Sequence, residues 1–161
     1  MILQENSLSK ELKVLDVKSP AFENQAHIPV KYTCDGENVN PPVSIKNIPH
    51  EAKSLVLIID DPDAPIRPWV HWTVWNIPPV REIKENSVPG IEGWNDFRNQ
   101  NYGGPCPISG THRYFFKVYA LSELLDLNPA STKRELEKAM SPHIIAFGEL
   151  VGLYTRSLIN Q

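Results

Sequence analysis

Two stretches of the chain hold the residue types that do chemistry. Asp61-Pro62-Asp63-Ala64-Pro65, followed by Pro68-Trp69-Val70-His71-Trp72, sets two carboxylates and an imidazole among prolines. Gly103-Gly104-Pro105-Cys106-Pro107, followed by Thr111-His112-Arg113-Tyr114, adds a thiol, a second imidazole and a phenol behind two glycines. Proline fixes φ and removes a donor, so each stretch must leave a sheet as a shaped corner. Imidazole N–H groups, a tyrosine hydroxyl and glycine amides can all donate to a phosphate, sulfate or carboxylate, and glycine permits close approach. Ionised Asp61 and Asp63 cannot accept such an anion; they would orient or charge the histidines, or meet an ammonium group.

The same residues admit other readings. Cys106 with His71 or His112 is the minimal nucleophilic pair of a thiol or hydrolytic enzyme. His71, His112, Asp61 and Asp63 are types that suit zinc or non-haem iron, although the spacing merely permits a metal and does not require one. Each residue also has a plain structural role open to it. Histidines at strand starts are commonly structural, aspartates form turns through nearby backbone N–H groups, Gly103-Gly104 can be a bend, and Cys106 can pack or pair with Cys34. The coincidence of all of them on two corners favours a site.

For these corners to converge, strands must deliver them to one end of a sheet. Ser54 to Asp60 is apolar without alternation, as expected of a central strand covered on both sides. His71 to Ile77 and Thr111 to Ala120 are the next strong strand signals. Period-two arithmetic puts His71 on the face of Thr73 and Trp75, and His112 with Tyr114 opposite Arg113. Shorter strands are expected over Leu12 to Val17, His27 to Tyr32, Val43 to Ile48 and Ile144 to Ser157. Arg81 to Asn101 reads as a long, partly ordered functional loop with an isolated aromatic pair, Trp94 and Phe97. Thr132 to Met140 reads as a helix, with Thr132 and Glu135 as a capping box and Ser141-Pro142 as its stop. A cis bond within Asp61 to Pro65 would suit a rigid corner.

Composition bounds the rest. A chain of 161 residues is expected to form one domain over 1–161 with a real core. Its 41% hydrophobic and 22% charged residues exclude disorder, and its 15 prolines, about twice the average usage, suit many short strands joined by turns. A net charge of -3 without a basic stripe argues against nucleic acid as partner. No run is long enough to cross a bilayer and Met1 to Lys10 is unlike a signal peptide, so the expectation is a cytoplasmic protein. Two cysteines, Cys34 and Cys106, are too few for a disulfide scaffold or a four-ligand zinc site, and a single bridge between them stays open.

Asp61-Pro62-Asp63-Ala64-Pro65, Trp69-x-His71, Gly103-Gly104-Pro105-Cys106-Pro107 and Gly110-x-His112-Arg113-Tyr114, in this order and spacing, resemble the phosphatidylethanolamine-binding protein family. Within it they are most similar to the bacterial and archaeal Raf-kinase-inhibitor-like branch. The resemblance extends from Phe22 through Asp35-Gly36-Glu37-Asn38 to Glu149-Leu150-Val151-Gly152. It implies a mainly β fold, a β-sandwich of antiparallel sheets with one or two short helices and an anion pocket at one end. The positions carried over are Asp61, Asp63, Trp69, His71, Gly103, Gly104, Pro105, His112 and Tyr114. The implied protein is a non-enzymatic binder of a small anionic ligand, with no cofactor or metal. The family's association with lipid head groups and with inhibition of kinases and serine proteases names possible partner classes, and a homodimer stays open. Ile108, where relatives often carry proline, and Arg98-Asn99-Gln100-Asn101, where glycine is frequent, depart from the pattern at the pocket rim. A carboxylate beside His71 or His112 would raise the histidine pKa, so anion affinity is expected to strengthen as pH falls.

Overall fold

The uninterrupted apolar run Ser54–Asp61 forms a strand that is buried at every position. Leu55, Leu57 and Ile59 pack into one cluster, while Val56 and Ile58 pack into another on the opposite face. The structure, a computed structural model, describes residues 12–156. Its strands in chain order are Lys13–Val14 (β1), Asp16–Lys18 (β2), Ala26–His27 (β3), Val43–Lys46 (β4), Ser54–Asp61 (β5), Trp69–Ile77 (β6), Glu82–Ile83 (β7), Ile91–Glu92 (β8), Thr111–Leu121 (β9) and Ile144–Thr155 (β10). The larger sheet runs β1-β10-β9-β5-β6-β8 with β3 also on β10, and the smaller runs β2-β4-β7.

The mainly β sandwich expected from the sequence is the fold that forms. Val17, Val43, Ile45 and Ile83 of the small sheet close over Leu57, Phe116, Val118 and Leu150 of the large one. On the outer face, Leu136 and Met140 of the single α-helix among the described residues, Lys133–Met140 (α1), cover Val56, Ile58 and Trp75. The long strands pair antiparallel, whereas the two-residue β1 and β3 join β10 in parallel. Thr132 caps α1: its hydroxyl accepts from the Glu135 amide at 3.2 Å and the Glu135 carboxylate accepts from the Thr132 amide at 2.8 Å, the reciprocal box expected. Buried Asp60 accepts from Lys117 at 3.1 Å and lies 3.5 Å from the Lys133 ammonium, which pins the helix start onto the sheet.

Three local expectations differ. Leu12 to Val17 is two strands in two sheets, and the chain crosses between them at buried Leu15, whose amide donates to Phe147 O at 2.9 Å. The strand expected to reach Tyr32 ends at His27, because Pro29 has no amide to pair and the chain winds into a 3-10 turn over Val30–Tyr32. β4 stops at Lys46, where Asn47 takes a φ of 67°. α1 ends at Met140, before Ser141-Pro142, as expected, and Ser141–His143 follows it as a 3-10 turn with proline tolerated in its first turn.

The segment from Arg81 to Asn101 is ordered. It holds β7 and β8, and Asn95 organises its far end, accepting from the Phe97 and Asn99 amides at 2.9 and 3.0 Å and donating to Asn101 O at 2.7 Å. No cis peptide bond occurs among the described residues, so the Asp61 to Pro65 corner is all trans. No helix among them is long and apolar enough to cross a membrane. The expectations for Met1 to Lys10 and for Ser157 fall outside the described residues.

Candidate functional site

The two proline-rich corners meet at one end of the large sheet, beside a cavity of about 300 Å³. His112 and Tyr114 project from β9 on one face, as alternation predicts, with their rings stacked at 6.4 Å. His71 arrives differently. Ile59 pairs with Trp72 and Asp60 with Val70, so His71 is the extra residue of a β-bulge. The bulge takes His71 off the face of Thr73 and Trp75 and sets it edge-on to Tyr114 at 5.3 Å. Trp75 instead packs under α1.

Both imidazoles have one nitrogen committed. His71 Nδ1 donates to Gly103 O at 2.6 Å, and His112 Nδ1 donates to Asp61 Oδ2 at 2.6 Å. Each therefore keeps Nε2 for the cavity that both rings line. Asp61 is also committed, since its other oxygen accepts from the Asp63 amide at 2.8 Å. The Tyr114 hydroxyl is fully buried and has no well-formed hydrogen bond among the described residues, the Cys106 backbone amide being the near group that acts on it. Polar groups so placed are normally paired, and this one lies against the cavity.

Four residues expected to touch a ligand face elsewhere. The Asp63 carboxylate is held by Arg113, accepting from Nε and Nη2 at 2.9 and 2.8 Å and from the Arg113 amide at 2.9 Å. It ties the corner to β9 and is not free to meet an ammonium. The Gly103 amide donates to His71 O at 3.0 Å and the Gly104 amide to Asn38 Oδ1 at 2.8 Å, so neither is available to an anion. Their lack of a side chain serves packing: a Cβ on Gly103 would sit 2.5 Å from the Phe97 ring. Pro105 is buried, and its carbonyl accepts from the Cys34 amide at 3.1 Å. Of these residues Gly103 holds His71 directly, through its carbonyl.

Sequence reasoning missed the apolar wall. Phe97 stands edge-on to His71 at 5.3 Å and to Trp69 at 5.7 Å, and Pro65, Ile66, Pro107 and Ile108 complete the mouth. Phe97 was visible only as an isolated aromatic, and Ile108 only as a departure from a pattern. Ile66 is fully exposed yet takes a φ of 76°, a left-handed conformation that costs a branched residue about 1–3 kcal/mol.

Burial and charge set the protonation of these groups. Burial pushes the His71 pKa down, outweighing the Gly103 carbonyl and the charges of Asp61 and Asp60 that pull it up. This reverses the direction expected for His71 from a neighbouring carboxylate. Burial, and then Asp61, push the Tyr114 phenol far up, so it remains a donor. Arg113 holds Asp63 below its ordinary range. Cys106 is bonded to Cys34 in a disulfide, so it offers no thiolate and the nucleophilic Cys/His pair is overturned. No group of three His, Cys, Asp or Glu residues among those described could hold a metal, because Asp61 and Asp63 are spent on protein donors.

Residues 18–155, which include both corners and all nine candidate positions, match the family model described as phosphatidylethanolamine-binding protein. The chain belongs to this family. A UPF0098 protein of Methanothermobacter thermautotrophicus is 47% identical over 150 residues, covering 88% of this chain and 99% of the relative. One from Pyrococcus abyssi is 53% identical over 149 residues, covering 86% and 84%. Among solved structures, a putative phosphatidylethanolamine-binding protein homolog from Chlamydia trachomatis is similar at a TM-score of 0.86 and 40% identity, over 90% of this chain and 99% of that one. An Escherichia coli protein described as a new member of the mammalian family gives 0.82 and 27%, over 89% and 99%. In this phosphatidylethanolamine-binding family member the two corners are joined to each other through the ion pairs Asp61–His112 and Asp63–Arg113, while Cys106 ties the second corner to Cys34.

Proposed function

We propose that this member of the phosphatidylethanolamine-binding family is a binding module for small oxyanions and not an enzyme. A phosphate, sulfate or carboxylate group sits on His71 Nε2, His112 Nε2 and the Tyr114 hydroxyl. The observation that carries this reading is the Tyr114 hydroxyl, which donates to no acceptor among the described residues and is buried between two histidines whose other nitrogens are committed. Leaving such a hydroxyl unpaired costs about 1–3 kcal/mol, which an entering acceptor offsets. Asp61 positions His112, and Asp63 holds the corner. A protein partner, whether kinase or protease, would be met through an anionic group on these same three side chains.

The neutral His71 ring accepts at Nε2, so it must gain a proton to donate to an anion. Its pKa in the free fold is depressed by burial, and a bound anion raises it, so binding takes up a proton. The sign follows: for sulfate, which does not titrate in this range, affinity strengthens as pH falls and weakens by up to about tenfold per pH unit above the free-state pKa. In the free protein the depressed pKa works the other way. The stability due to neutral His71 is present above about pH 6.5 and is lost as pH falls through the folded value. Calorimetric titration of sulfate between pH 5.5 and 8 tests the proposal; an affinity independent of pH, or no binding, contradicts it.

A further inference from the structure

We infer that the oxyanion this pocket selects is carried on a ring-sized apolar body, as in an aryl phosphate monoester or aryl carboxylate, and is not a bare inorganic ion. The inference rests on the oxyanion reading above and concerns which oxyanion. The cavity is graded along its depth. His71, His112 and Tyr114 are 3%, 9% and 0% exposed, whereas Phe97, Ile66 and Ile108 are 38%, 104% and 83% exposed. Polar atoms are therefore confined to the floor, and the wall and mouth are carbon.

Volume points the same way. At about 300 Å³ the cavity holds roughly ten waters at liquid density, and an apolar cavity of about half that size already accepts a benzene ring. An oxyanion on the three floor groups leaves most of this space bordered by Pro65, Trp69, Phe97 and Pro107, where water finds few partners. The Trp69–Phe97 pair is edge-to-face, with a centroid distance of 5.7 Å, and presents ring surface against which an aryl group can pack. Ile66 adds a reason of its own. Glycine would adopt its φ of 76° without strain, while a fully exposed isoleucine there buries nothing in the free protein. A body seated between Ile66 and Ile108 gives that side chain the contact it otherwise lacks.

The test is calorimetric titration with inorganic phosphate, phenyl phosphate, glycerol 3-phosphate and vesicles containing phosphatidic acid. The wild-type chain is compared with an Ile66→Ser/Ile108→Ser double variant whose folding is checked by its thermal melt; both positions are exposed. Phenyl phosphate should bind about tenfold or more tighter than inorganic phosphate and glycerol 3-phosphate. In the double variant that ratio should shrink to about threefold or less. Equal affinity for all three soluble phosphates overturns the inference while leaving the oxyanion reading intact. Binding by none of the probes overturns both. Tighter binding to the vesicles than to phenyl phosphate also overturns it, because the apolar mouth then serves a lipid surface.

Discussion

Reduction of the Cys34–Cys106 disulfide is expected to lower stability by about 4 kcal/mol on the chain-entropy account. The bridge spans 72 residues, so the loop it closes in the unfolded chain takes in β4 to β8, and closure entropy grows with loop length. The native side should lose less, because the joined segments hold each other by other means. Tyr102 donates to Tyr32 O at 2.7 Å and the Gly104 amide to Asn38 at 2.8 Å. The folded pocket should therefore persist after reduction while the unfolded chain gains freedom. Urea denaturation of the oxidised protein, the reduced protein and a Cys34→Ser/Cys106→Ser variant measures this. A loss below about 1 kcal/mol in both altered forms would show that the bridge constrains little.

Asp61→Ala is the second large effect, with an expected loss of about 3 kcal/mol. The Asp61 carboxylate is 3% exposed and accepts from both His112 Nδ1 and the Asp63 amide, so its removal strands two donors at once. Asp61→Asn should cost less, since one amide oxygen can still accept from one of them, although its NH2 group then faces the other donor. Phosphate affinity should fall in both variants because His112 loses its fixed orientation. Urea denaturation with calorimetry separates the effects. Equal losses in the two variants, or none, would mean that Asp61 does not hold the corner.

These expectations show which parts of the molecule are legible in a sequence. β5 was legible because burial on two faces leaves an unbroken apolar run, and the helix cap because Thr132 and Glu135 act within one turn. His112 and Tyr114 share a face because β9 is regular over that stretch. His71 was misplaced because a bulge inserts one residue without changing the hydrophobic pattern. The break at Leu15 was missed because each sheet takes only two or three residues there. Asp63, Gly103 and Gly104 belong to the right corners, but what they bond to is decided by residues up to 66 positions away, which spacing cannot reveal. The apolar wall escaped notice because Phe97 and Ile66 come from separate irregular segments that converge only in the fold.

The central claim is that the Tyr114 hydroxyl is kept unpaired in the free protein in order to meet an oxyanion between His71 and His112. Tyr114→Phe tests it most directly, with thermal or urea denaturation and phosphate calorimetry on the same preparations. The account predicts opposite signs: the free variant gains about 1 kcal/mol of stability because a buried orphan is removed, and phosphate binds about tenfold more weakly. Unchanged or lower stability together with undiminished phosphate affinity would contradict it.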